Sequence, residues 1–105
     1  YRAPYGEYND TVLKAANASN CKTIQWDLDT LDYNGLTGEE MWNRLNGKIN
    51  AGSIILTHNG TEHTADSLER IIQNIKNKGF EIVPVSELVY DSDYYVDLTG
   101  MQIKK

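Results

Sequence analysis

The sequence predicts an α/β fold in which parallel strands alternate with helices, and three observations predict it. Strand-type apolar runs and helical patterns follow one another along the chain, which implies right-handed crossovers and a parallel sheet. The run Ile54-Ile-Leu56 has no polar alternation, so it reads as a strand buried on both faces. Three or four such strands would leave long unpaired edges. The 105 residues therefore read as a segment of a larger barrel or sheet.

Taken in order, the elements are a loop, then helix, strand, helix, strand, helix, strand, short helix and tail. Asn9 or Asp10 can cap a helix running to about Ser19, with Val12, Leu13, Ala15 and Ala16 as its apolar side. The first strand is Lys22–Trp26, running into Asp27, Asp29 and Asp32. Thr37-Gly-Glu-Glu40 fits a capping box, in which the threonine oxygen and the glutamate carboxylate satisfy free backbone donors. Met41, Leu45 and Ile49 then recur every four residues. Gly52 marks the stop before the second strand, Ser53–Thr57. From Thr64 to Lys78, Leu68, Ile71, Ile72 and Ile75 form one helical stripe, closed by Lys76, Lys78 and Gly79. Phe80–Val83 is the third strand, and after Pro84, Ser86 caps a short turn over Glu87-Leu-Val-Tyr90. No internal repeat, low-complexity run or linker interrupts this pattern.

Length limits the chain to one domain at most, of a size that buries roughly two-thirds of its unfolded surface. Ten Lys and Arg against fifteen Asp and Glu give a net charge of −5, which disfavours binding to a phosphate backbone. No apolar run approaches the ~18 residues of a membrane span. There is no signal peptide, and the abrupt start at Tyr1-Arg-Ala-Pro-Tyr-Gly6 says little about a longer precursor. Cys21 is the only cysteine; it cannot form an internal disulfide, and with no histidine near it in sequence it reads as structural.

His58 is the first candidate for chemistry. It closes Ile54-Ile-Leu-Thr-His58 just before a helix, which would put it at the carboxyl end of a strand, where parallel α/β folds carry their active sites. The first strand delivers Asp27, Asp29 and Asp32 to the same rim. Two neighbouring strands bringing ionisable groups to one rim suggest a site.

Three stretches then carry a resemblance. Arg2-Ala-Pro-Tyr-Gly6, Asp29-Thr-Leu-Asp32-Tyr33 and Leu56-Thr-His58 resemble the R-P-P-Y-G, D-x-x-D-W and L-x-H motifs of the NodB-type polysaccharide deacetylases, carbohydrate esterase family 4. They come in the family's order, with comparable spacers. Gly79-Phe-Glu-Ile-Val-Pro-Val-Ser-Glu-Leu88 is also similar, and the tail Tyr94-Tyr-Val-Asp-Leu-Thr-Gly100 looks most like bacterial members linked to sporulation or the cell wall. The resemblance implies the C-terminal half of a distorted (β/α) barrel, with residues 1–105 as part of one domain whose N-terminal half is not in this chain.

The implied activity is removal of N-acetyl groups from N-acetylglucosamine units in chitin or peptidoglycan with a divalent metal, usually zinc. The metal ligands and catalytic base lie in the family's T-F-D-D and H-x-x-x-H motifs, which this chain lacks. The metal would be bound by residues outside it, and the chain alone should be inert. By resemblance, Arg2 holds the catalytic-base aspartate in a bidentate pair that lysine could not reproduce. The Tyr5 N–H helps stabilise the oxyanion. His58 is the general acid for the leaving amine, with Asp32 as the carboxylate that favours its protonated form. Leu56 and Tyr33 line the slot for the acetyl methyl. Ala3 stands where the motif has its first proline, and Tyr33 where it has tryptophan, a change that could reshape the slot. The implied partners are an N-acetylglucosamine polysaccharide and the missing half as a second chain or a swapped copy. The implied location is extracellular or in the bacterial cell envelope.

Each assignment has a plainer rival. His58 without its motif is a hydrogen-bonded loop residue, and His58 with His63 is a weak metal pair. Asp27, Asp29 and Asp32 could form a solvated acidic turn, with Asp29 holding the loop; the EF-hand calcium pattern does not fit. Trp26, Trp42 and the tyrosines could stack on sugar, although Trp42 also suits a core or helix surface. Asn9, Asn17 and Asn59 sit in glycosylation sequons. Against a deacetylase half stands a non-catalytic carbohydrate-binding or structural module, and Arg2 separates the two: without a carboxylate partner it would count against the deacetylase.

Overall fold

The structure is a computed structural model covering Tyr1–Lys105. Its helices are α1 (Asp10–Ala18), α2 (Gly38–Leu45), α3 (Thr64–Asn77) and α4 (Val85–Leu88). Its strands are short: β1 (Leu28–Asp29), β2 (Ile55–Leu56), β3 (Tyr94–Val96) and β4 (Gln102–Lys104). β1 and β2 form a parallel pair with Leu28 opposite Ile55 and Asp29 opposite Leu56. β3 and β4 form a separate antiparallel pair. The strands that lead to His58 and Asp32 are thus parallel neighbours, as the alternation predicts.

The helix starts follow their cap chemistry. Asn9 accepts from the Val12 N–H at 3.0 Å and opens α1. At α2 the capping box is complete: Thr37 Oγ1 accepts from the Glu40 N–H at 3.2 Å, and Glu40 accepts from the Thr37 N–H at 3.1 Å. One face of α2 and one face of α3 then meet. Met41, Leu45, Ile71 and Ile75 form the buried core, with Leu28, Leu36, Trp42, Ile49, Ile55 and Phe80 packed around it. Gly38 permits the close approach of the two helices, because a Cβ there would run into the Oγ and Cβ of Ser67. Ile49 lies past the end of α2 yet still reaches this core.

Several expected elements differ. Lys22–Trp26 forms no ladder strand; pairing begins only at Leu28. Asp27 marks the change, its carboxylate accepting from the Ile54 N–H at 2.5 Å and from Ser53 Oγ at 3.0 Å. Upstream of it the backbone of the extended chain hydrogen-bonds only to Tyr1, which donates its N-terminal amine to Lys22 O at 2.8 Å and accepts from the Ile24 N–H at 2.7 Å. The second strand shortens to Ile55–Leu56, and of its apolar run only Leu56 is fully buried, so it is not covered on both faces. Phe80–Val83 has no ladder partner and is not a strand. Ser86 is not a cap: it lies inside α4, which Pro84 precedes without a side-chain hydrogen bond. Leu68 leaves the α3 stripe and is 40% exposed.

The tail also holds a structure the pattern did not suggest. Asp97 Oδ1 accepts from Thr99 N, Thr99 Oγ1 and Met101 N at 2.8, 2.5 and 3.1 Å, closing the turn between β3 and β4. Tyr90 and Gln102 add two further bonds at its base. No helix is long and apolar enough to cross a membrane.

Candidate active site

β2 ends at Leu56, and two residues later the chain turns toward α3 at His58. The parallel neighbour β1 ends at Asp29 and leads into a short 3-10 turn, Asp32–Asn34. Leu31 lies between, in the left-handed region at φ 52°, a conformation that is costly for a branched side chain. The Asp29 carboxylate offsets that cost by accepting from the Leu31 N–H at 2.9 Å. Arg44 Nε on α2 donates to the Asp29 carbonyl at 3.1 Å, tying the same bend to the helix layer. The result is a rigid bend that turns Asp32 inward.

Asp32 is fully buried and His58 is about one-third exposed. His58 Nδ1 lies 2.7 Å from Asp32 Oδ1. The His58 N–H donates to Oδ2 at 2.7 Å, and Thr64 Oγ1 donates to the same oxygen at 2.6 Å. Burial pushes the Asp32 carboxyl up, but the hydrogen bonds from Thr64 and His58, with the His58 charge, outweigh it and hold the group below its ordinary value. An ionised carboxylate only accepts, so Nδ1 carries a proton and the other ring nitrogen, Nε2, is left for an outside group. Such an arrangement can deliver a proton to a leaving atom while Asp32 balances the imidazolium.

The other expected site residues distribute unevenly. Tyr33 stands edge-on to the His58 ring, with centroids 5.3 Å apart and planes at 81°. Leu56 is 5% exposed, just ahead of His58 on β2. Tyr5 is in the left-handed region at φ 57°, and no acceptor in the chain takes its N–H. The turn that carries it rests on Trp26 and Gln25: Gln25 Nε2 donates to the Gly6 carbonyl at 2.9 Å. Gly6, at φ +68°, is needed there because a Cβ would come within 2.6 Å of the Trp26 ring. Arg2 is exposed and pairs with no carboxylate of the chain.

Of the three acids at the rim, only Asp32 belongs to the site. Asp27 holds the start of β2 and Asp29 holds the Leu31 bend, so the acidic turn is a set of fasteners and not a cation loop. His63 precedes α3 and lies 3.7 Å from Glu62; it does not join His58. No group of three or more metal-ligating side chains comes together, and the His58 Nδ1 and both Asp32 oxygens are already engaged. These residues do not form a metal centre of their own. Trp42 packs against the core, as its plainer assignment had it. Sequence reasoning missed Thr64 as part of the site. Its only signal is a threonine at the opening of the helix six residues after the histidine.

No protein-family model matches the chain. A peptidoglycan N-acetylglucosamine deacetylase of Bacillus cereus is 33% identical over 95 residues, 87% of this chain. Among solved structures, a pseudoenzyme of carbohydrate esterase family 4 from Bacillus anthracis superposes with a TM-score of 0.77 at 31% identity over 83% of this chain. The chain belongs to carbohydrate esterase family 4. A second solved structure, the Bc1960 peptidoglycan N-acetylglucosamine deacetylase, gives a TM-score of 0.76 at 34% identity over the same share. The chain spans about a third of its relatives: 34% of the Bacillus cereus enzyme and 31% and 42% of the two structures. The motifs Arg2–Gly6, Asp29–Tyr33 and Leu56–His58 are thus found on the fold of NodB-type polysaccharide deacetylases.

Proposed function

We propose that this chain is the acid-bearing, C-terminal portion of a polysaccharide N-deacetylase domain acting on N-acetylglucosamine units of peptidoglycan or chitin. The hydrogen-bonded pair of His58 and Asp32 is the observation that carries this reading. When the amide C–N bond breaks, His58 Nε2 gives its proton to the departing nitrogen and Asp32 stays ionised behind it. Such proton transfer contributes about 10²–10⁴ in rate. Tyr5 offers a free backbone N–H for the oxyanion, and Leu56 and Tyr33 border the acetyl methyl.

A divalent metal, zinc by family resemblance, belongs to residues outside this chain, as does the carboxylate for Arg2. The catalytic partner is the remaining half of the domain, as a second chain or a swapped copy, and the chain alone is inactive. The family resemblance also suggests work outside the cell or in the bacterial envelope. The first experiment is to recover the protein intact from its source, weigh any associated polypeptide, assay zinc, and measure acetate release from N-acetylglucosamine oligomers. An associated N-terminal half with zinc and activity is the expected result; a lone chain that binds the oligomers without releasing acetate would sink the proposal.

Two observations favour a non-catalytic carbohydrate-binding or structural module instead. Arg2 has no acidic partner, and one solved relative is itself described as a pseudoenzyme. Recovery of an associated N-terminal half, with acetate release from the assembled domain, decides between the two.

A further inference from the structure

Asp32 receives two donors from His58, one from its ring and one from its backbone, and a third from Thr64. The two from His58 bind the pair to itself. Only Thr64, which is 7% exposed at the start of α3, ties the carboxylate to another element.

The direction of that contact follows from proton counting. A threonine hydroxyl has one proton and an ionised carboxylate can only accept, so the Thr64 proton points at Asp32 Oδ2. Thr64 Oγ1 is also hydrogen-bonded to Thr61 Oγ1, and with its own proton committed it must be the acceptor there. The chain therefore runs one way, from the Thr61 hydroxyl to Thr64 to Asp32, and each bond polarises the next. Helix geometry agrees. α2 opens with Thr37 capping its own backbone, whereas α3 opens with no side-chain cap and its first threonine faces the carboxylate.

We propose that Thr64 is a positioning residue for the Asp32–His58 pair, with Thr61 fixing the direction of its hydroxyl. The catalytic meaning of this role rests on the deacetylase reading, but the geometry it describes can be measured without it. The Thr64 bond holds the carboxylate plane so that Oδ1 meets Nδ1, and it secures the negative charge on Asp32. Around the carboxylate stand the His58 imidazole and, beside that ring, the Tyr33 phenol; Glu62 and His63, on the same loop as His58, face each other.

The test is an NMR titration of the 105-residue chain, following the Asp32 carboxyl and the His58 Nδ1 proton in wild type, Thr64→Val, Thr64→Ser and Thr61→Val. Thr64→Val should raise the Asp32 midpoint by about one pH unit and speed exchange of the Nδ1 proton with water. Thr64→Ser should restore both, and Thr61→Val should shift the midpoint the same way by less. A Thr64→Val chain with the wild-type midpoint and exchange rate would overturn the proposal. If that variant does not fold, Thr61→Val decides, and an unmoved midpoint overturns it. None of these readouts uses acetate release, so failure here and failure of the deacetylase reading are separate results.

Discussion

His58 meets Asp32 twice, its ring at Oδ1 and its own amide at Oδ2, each at 2.7 Å. A side chain and its backbone gripping one carboxylate form a closed clamp. Neither the χ angles of the histidine nor the carboxylate plane can turn without breaking a bond in a buried place.

Removing the acceptor should therefore cost stability as well as function. Asp32→Asn keeps the size but presents an amide N–H₂ where one donor now sits. A loss of about 1.5–3 kcal/mol is expected, read as a lower urea midpoint with an unchanged m-value. An unshifted midpoint would mean the clamp adds nothing to the fold.

The same carboxylate should make stability pH-dependent in a definite direction. Its native value lies below that of the unfolded chain, so its contribution is complete above the ordinary carboxylate range. It is lost as pH falls through the lower native value. Acid unfolding curves of wild type should thus converge with those of Asp32→Asn at low pH and separate toward neutrality.

His58→Ala should spare the fold more than it spares chemistry, because the ring is one-third exposed and the backbone bond to Asp32 survives. In a complete domain containing this chain, acetate release should fall about 10²–10⁴-fold with the change in kcat and little in KM. Loss confined to KM would assign His58 to binding.

Gly38→Ala should destabilise by about 1–3 kcal/mol, since the new methyl meets both Oγ and Cβ of Ser67. Ser67→Ala removes only the oxygen. A double-mutant cycle by thermal or urea unfolding should accordingly recover part of the loss and not all of it.

Much of this arrangement could be read from residues alone, and the exceptions have physical causes. The capping box at Thr37 and the cap at Asn9 appear as the local pattern implies, because a cap needs only its own first turn. Lys22–Trp26 and Phe80–Val83 have strand composition but no ladder partners, and pairing is a property of neighbours that local sequence does not contain. The hairpin of β3 and β4 went unread although Asp97-Leu-Thr-Gly100 is a turn sequence, since its strands are three residues each, too short to show an alternating pattern. At the site, the motifs point to His58 and Asp32, and the structure brings them together. Thr64 stayed hidden because a threonine at a helix start normally reads as a cap.

Asp27 has a consequence that reaches beyond its own bend. Its carboxylate holds the Ile54 amide, and this grip lies one residue ahead of the Leu28 and Ile55 pairing. Strand side chains alternate faces, so a slip of one residue would send Leu56 outward and His58 to the wrong side of the pair. An exposed aspartate away from the His58 and Asp32 pair is therefore the peg from which the distance between imidazole and carboxylate is counted.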